Sequence, residues 1–175
     1  MGALLIAGLA LPASTRPETA AIATHCAAAP APEEVLQRLN AARSQGAICH
    51  HAGSTIVVAA PLQWSANLAA VAAAQSRDMA ELKQMQHRDT QNRNLTERLL
   101  AMGYRFSSAA ENVAVGYASL DAVVDAWLDS EAHCENLMNA VVLELGLACS
   151  DDTSAREASE GRYWTLVLGA PRRAR

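Results

Sequence analysis

The chain has no hydrophobic run long enough to cross a membrane, because its opening "MGALLIAGLALPAS" holds about ten apolar residues where a span needs about twenty. It has no basic stripe either. Lys and Arg number 14 against 18 Asp and Glu, the formal charge is -4, and the two signs are interspersed. That excludes the phosphate-neutralising surface a nucleic acid requires. The terminal "RRAR", residues 172–175, is too short to alter this and reads as a solvated basic tail. There is no Cys-x-x-Cys pair of the kind structural zinc uses, no His-Glu-x-x-His helix, no Gly-x-Ser-x-Gly elbow and no phosphate loop. No internal repeat is visible. The common nucleophilic, metalloprotease and nucleotide chemistries are thereby set aside.

What is present fits one domain, since 175 residues of which 51% are hydrophobic suffice for a single sizeable core. Residues 1–20 read as a signal peptide lacking its positive n-region, as a truncated start would, with cleavage expected after Ala13 or Ala20. No lipid-attachment box precedes Cys26, because His25 stands where a small residue is required. Residues 21–32 form an Ala/Pro linker, 33–171 the domain and 172–175 the tail. A secreted protein, extracellular or periplasmic, is expected, with no transmembrane span and as a monomer. Four cysteines, Cys26, Cys49, Cys134 and Cys149, suit that setting, where an even count points to two disulfides rather than a tetrathiolate zinc. Paired sulfurs would offer no thiolate nucleophile.

The hydrophobic spacing predicts a first helix from Glu33 to Gln45 burying Val35, Leu36, Leu39 and Ala42. A second, capped by Ser65 and fading near Met85, buries Leu68, Val71, Ala72, Met79 and Leu82 and leaves His87 near its end. A short helix over 95–102 stops at Gly103. "AENVAVGY" reads as a strand with Glu111 at its start, and a helix after Ser119 carries Leu120, Val123, Val124, Trp127 and Leu128 on one face. "LELGLACS" and "RYWTLVLG" read as two antiparallel strands. The order of elements predicts an α+β fold in layers.

His87, Glu111 and His133 each sit at the end of an expected element. Two imidazoles and a carboxylate are a set that divalent zinc accepts in tetrahedral geometry, with water as the fourth partner. Spacing alone supports that only weakly, as polar residues at element ends are usually solvated. His25, His50 and His51 are the competing imidazoles, expected at the surface; an adjacent pair such as His50 and His51 directs its rings apart when extended. Asn112 faces the opposite side of the strand from Glu111 and is expected to satisfy backbone groups. "NLT" at Asn94 fits either a glycosylation acceptor or a helix cap.

Taken together, "LNAARSQG", "LQWSANLAAVAAAQSRDMA", "ERLLAMGY", "AENVAVGY", "VVDAWLDSEAHCENLMN" and "YWTLVLGAP" resemble the CAP superfamily of cysteine-rich secretory proteins, insect venom antigens, plant pathogenesis-related proteins and bacterial secreted relatives. The order and spacing carry the resemblance, from about Glu33 to Pro171. It implies an α-β-α sandwich with a three-stranded antiparallel sheet. It also implies a central cleft gathering His87, Glu111 and His133, which fall on matching motif positions. Two departures stand out: Ala110 replaces the family's Gly before the glutamate, and Ser130 occupies the place of its second glutamate. Glu131, one residue on, can be carried over only as a fourth member. A missing carboxylate weakens a divalent-cation site. For the cysteines the expected pairs are Cys49 with Cys134 and Cys26 with Cys149, out of three connectivities open to four cysteines.

The resemblance implies a binding module whose His/Glu/His cleft takes a small apolar, extended or envelope-derived ligand, lipid included, with zinc or another divalent cation as the implied cofactor. The alternative is a hydrolase using a metal-bound water, with Glu111 as general base. A glutamate that ligates metal cannot also be a free base, so binding is the favoured reading.

Overall fold

The computed structural model describes residues 26, 29–49, 56–156 and 160–172. The expected signal peptide, His25, His50, His51 and residues 173–175 lie outside them. The elements in order are α1 (Pro32–Gln45), β1 (Gln63–Trp64), α2 (Ala66–Leu82), α3 (Leu95–Ala101), β2 (Phe106–Val115), α4 (Leu120–Asp129), α5 (Glu131–Met138), β3 (Glu144–Asp151) and β4 (Arg162–Pro171).

The strands form one sheet in the order β1-β3-β4-β2, and β4 is antiparallel to both β3 and β2. Both sheet faces are covered, so the central β4 is buried from Arg162 to Ala170 instead of alternating. Leu145 and Leu147 of β3 with Trp164, Leu166 and Leu168 of β4 meet Val35 and Leu39 of α1, Val123, Val124 and Trp127 of α4, and Leu137 of α5. On the opposite face Ala148 and Val167 meet Leu68, Val71 and Ala72 of α2 and Leu99 of α3. This is the α-β-α sandwich, built by the period of two along each strand.

The expected three-stranded antiparallel sheet is corrected to a four-stranded mixed one. Gln63 N–H donates to Leu143 O at 3.0 Å and Ser65 N–H to Leu145 O at 2.8 Å, which lays the entry to α2 parallel to β3. Two residues carry no alternation to read. Helix boundaries shift too. α1 begins at Pro32, whose missing N–H costs nothing in a first turn. α2 stops at Leu82, not near Met85, because Lys83 turns left-handed at φ 54° and Gln84 N–H bonds back to Met79 O. Leu82 is therefore 47% exposed, against the expectation of burial. Ser65 holds the cap position of α2 without a side-chain bond. The segment bearing His133 is a helix of its own, α5, set off from α4 by an extended Ser130.

Both expected disulfides are present, Cys26–Cys149 with Cα atoms 5.7 Å apart and Cys49–Cys134 at 5.3 Å. The second ties the chain after α1 to the residue beside His133.

α2 lies so close to β3 that a Cβ on Gly146 would sit 2.0 Å from Ala69 N and 2.3 Å from Leu68 C. Both obstacles are backbone, which cannot swing away as a side-chain tip does. Gly146→Ala must push α2 off the sheet and is expected to destabilise by about 1–3 kcal/mol or more, the usual range for overpacking. Urea unfolding midpoints of variant and wild type measure it.

Candidate functional site

α3 is only seven residues long, and its start is fixed by a reciprocal cap: Asn94 accepts from Glu97 N–H at 3.0 Å while the Glu97 carboxylate accepts from Asn94 N–H at 2.8 Å. Capping thus accounts for Asn94. With that start, Arg98 falls three residues after Leu95 and beside Leu99, on the face turned into the protein. A buried guanidinium needs an anion. Glu111 on β2 supplies it: Arg98 Nη1 donates to Oε2 at 2.8 Å and Nη2 to Oε1 at 3.0 Å, with both side chains 3% exposed. This is the forked, two-bond pairing that makes arginine the strong carboxylate partner.

His87 lies in the loop after α2 and is held from three sides. Its Nδ1 is 2.9 Å from Glu111 Oε1, and since a carboxylate only accepts, the ring donates there. Its carbonyl accepts from Arg98 Nη2 at 3.1 Å. Gln75 of α2, fully buried, donates through Nε2 to Gln86 O at 2.7 Å and Arg88 O at 3.3 Å, the carbonyls on either side of His87. The ring is still 60% exposed, and with Nδ1 engaged its Nε2 is the nitrogen left to meet a ligand.

His133, half-buried, sits in α5, which is anchored independently. Asn112, fully buried on β2, donates to His133 O at 3.0 Å and accepts from Asn136 Nδ2 at 2.9 Å. Buried Arg43 of α1 reaches the far end of α5, donating to Leu137 O at 2.6 Å and Asn139 O at 3.1 Å. The Cys49–Cys134 disulfide fixes the next residue. Exposed Glu131 opens α5.

The two imidazoles titrate in opposite senses. The Glu111 hydrogen bond raises the His87 pKa, outweighing its partial burial. Burial lowers that of His133, and the nearby charge of His87 lowers it further. His133 is thus close enough to sense His87. Among the described residues no group of three or more His, Cys, Asp and Glu side chains stands in a metal-holding arrangement. Glu111 lies behind the rings, 3% exposed and spending three hydrogen bonds on Arg98 and His87. The donors left for a cation are the two rings, with Glu111 behind His87 as the carboxylate that orients a ligating histidine.

The geometry brings His87 and Glu111 together and gives Glu111 a partner, Arg98, that the sequence reading did not single out. It leaves His133 within electrostatic reach. The sequence also matches the cysteine-rich secretory protein (CAP) family over residues 36–168. The chain belongs to this family. Among curated relatives, the uncharacterized membrane protein YlbC of Bacillus subtilis is 35% identical over 88 residues, 50% of this chain and 25% of that protein. Among solved structures, an extracellular protein containing an SCP domain from Bacillus anthracis aligns with TM-score 0.62 and 25% identity over 79% of this chain and 39% of its own. An outer surface protein from Borrelia burgdorferi shares the fold, with TM-score 0.57 and 22% identity over 65% of this chain and 80% of its own. The chain therefore spans less than half of the first two proteins. Within the CAP fold, Arg98, Glu111 and His87 form a continuous hydrogen-bonded chain from the buried guanidinium to the exposed ring.

Glu111→Gln removes the anion bonded to a buried guanidinium and is expected to cost about 3–5 kcal/mol, read from urea unfolding. In an NMR titration, His87 should titrate above the ordinary histidine value and His133 below it. The stability His87 contributes is present below the unfolded pKa of about 6.5 and is lost as pH rises through its raised folded value. That of His133 has the opposite sign: it is present above about 6.5 and lost as pH falls through the lowered folded value. A His87 resonance titrating below His133 would contradict the hydrogen bond to Glu111.

Proposed function

We propose that this CAP domain is an extracellular or periplasmic binding module that presents the His87 and His133 rings to its ligand, a small apolar, extended or envelope-derived molecule. The observation that carries this reading is the pair of hydrogen bonds that Arg98 donates to the buried Glu111. A general base needs a free lone pair within reach of a substrate proton. Here the one buried carboxylate of the site is 3% exposed and hydrogen-bonded at both oxygens to groups of the protein, so it does not face a visiting substrate. What the site keeps for a visitor is Nε2 of His87 and the His133 ring, donors or acceptors by turns, which suits recognition. The two disulfides support a setting outside the reducing cytoplasm, as do relatives described as extracellular and outer surface proteins.

Zinc fits this arrangement as a guest of two imidazoles, with Glu111 orienting rather than ligating. His87 and His133 would hold the metal, and it would supply a Lewis-acidic centre for an oxygen of the ligand. Neutral rings are needed for that, which burial favours at His133 and the Glu111 hydrogen bond opposes at His87.

Zinc titration calorimetry at pH 7.5 tests the proposal on wild type, His87→Ala and His133→Ala, with circular dichroism as the folding control. Stoichiometric uptake by wild type and none by either variant is the expected result. Equal uptake by all three removes the two rings as the metal's holders. Steady hydrolysis of an ester or glycoside panel that is lost in His133→Ala would overturn the binding-module reading itself.

A further inference from the structure

At the end of α3 lies a cleft of about 440 Å³, lined by Leu100, Gly103, Arg105, Phe106 and Arg172 and bordered by none of His87, Glu111 and His133. Its size falls in the range of small-molecule sites. The chain opens it at Gly103, which turns left-handed at φ 76° and where even a Cβ would meet no atom within 4 Å. The sheet then sets the two arginines opposite each other. Phe106 of β2 pairs with Pro171 of β4, and one step further out Arg172 N–H donates to Arg105 O at 2.8 Å. Both arginines are exposed. Arg38, Arg93, Arg98 and Arg162 each face a carboxylate, but neither Arg105 nor Arg172 has an ion-pair or side-chain hydrogen-bond partner among the described residues.

Like charges directly opposite on paired strands are destabilising, and no carboxylate lines this cleft to offset them. In a chain of formal charge -4, the two free guanidiniums make a local place for an anion. Their planar forks match the paired oxygens of a carboxylate or phosphate, whereas a neutral ligand uses neither the charge nor the geometry. Beside them Leu100 is 57% exposed and Phe106 half-buried, an apolar wall that an inorganic ion would leave wet and an alkyl or aryl group would cover. We propose that this cleft is a second binding site of the domain, for an amphiphilic oxyanion: a carboxylate or phosphate carried on an apolar body. A soluble acid and the headgroup end of a lipid both present that chemistry.

The proposal does not depend on what the two rings bind, since the cleft shares no residue with them. The test is titration calorimetry of the full chain with hexyl phosphate, inorganic phosphate and hexanol. Saturable binding of hexyl phosphate is expected, at least tenfold tighter than either of the others and weakening as salt rises, because the charges are exposed. Arg105→Gln with Arg172→Gln should raise the dissociation constant at least tenfold, and Leu100→Ser should weaken hexyl phosphate but not inorganic phosphate. Arg77→Gln, an exposed arginine outside the cleft, should change nothing. Without ligand, the urea midpoint of the arginine variants should not fall, since each substitution relieves the like-charge pair. Sedimentation with vesicles identifies the source of the ligand: retention by phosphatidylglycerol and not phosphatidylcholine, lost in the double arginine variant, means a lipid headgroup, and no retention means a soluble acid. The proposal is overturned if hexyl phosphate does not bind saturably, if hexanol or inorganic phosphate binds as tightly, or if binding survives the double arginine variant.

Discussion

The ion pair of Arg98 with Glu111 is the constraint on which the site depends. It joins the short helix α3 to β2, and through the His87 carbonyl it also fixes the loop after α2. Burying two charges is not in itself stabilising, because the lost hydration can exceed the attraction. What the pair supplies is position. Once both charges are inside, every arrangement that separates them is costly, so the loop carrying His87, the strand carrying Glu111 and the helix carrying Arg98 have only one low-energy relation. The pair also bears on the role of Glu111. Glu111 is gripped at both oxygens by Arg98, and one of them also accepts from the His87 ring.

The outline of the fold was legible in the sequence because the apolar periods were clean. The apolar runs of β3 and β4, the stripes of α1, α2 and α4, and the Gly103 stop after α3 all led to elements at or near their true places. The failures share a physical cause, namely backbone geometry decided by distant partners. β1 exists because Leu143 and Leu145 offer carbonyls to residues 63–65. The end of α2 is set by a left-handed Lys83, a conformation no residue type at that position announces. The break between α4 and α5 at Ser130 lies inside a continuous helical pattern, so it too was invisible until packing bent the chain there.

The candidate site was half legible. His87, Glu111 and His133 stood out as chemistry-bearing residues, but the groups that hold them did not, since Arg43, Gln75 and Arg98 look like ordinary solvated helix residues. A signal was nonetheless present. Arg43 follows Val35 and Leu39 at steps of four, Gln75 lies in the series Leu68, Val71, Ala72, Ser76 and Met79, and Arg98 comes three residues after Leu95. Each occupies the apolar stripe of its helix, where a polar side chain is either an error or a bracket with a buried partner. All three prove to be brackets, Arg43 to the end of α5, Gln75 to both neighbours of His87 and Arg98 to Glu111.

The same three residues show how the two rings come to differ. His87 is presented on a loop, and loops need tethers, so Gln75 and Arg98 fix its backbone while Glu111 fixes its ring and leaves most of that ring exposed. His133 is presented on a helix held by a disulfide, by Arg43 and by Asn112, so its ring needs no carboxylate and lies deeper. One ring thus gains affinity for a proton and the other loses it, from the same protein surface, with the charge of the first acting on the second. The two imidazoles thus depart from the ordinary histidine in opposite directions, one through the carboxylate behind it and the other through burial. Two free histidines side by side would repel when both are protonated and offer no fixed polarity when neither is. The brackets therefore set where the two rings stand, while Glu111 and burial set their proton affinities.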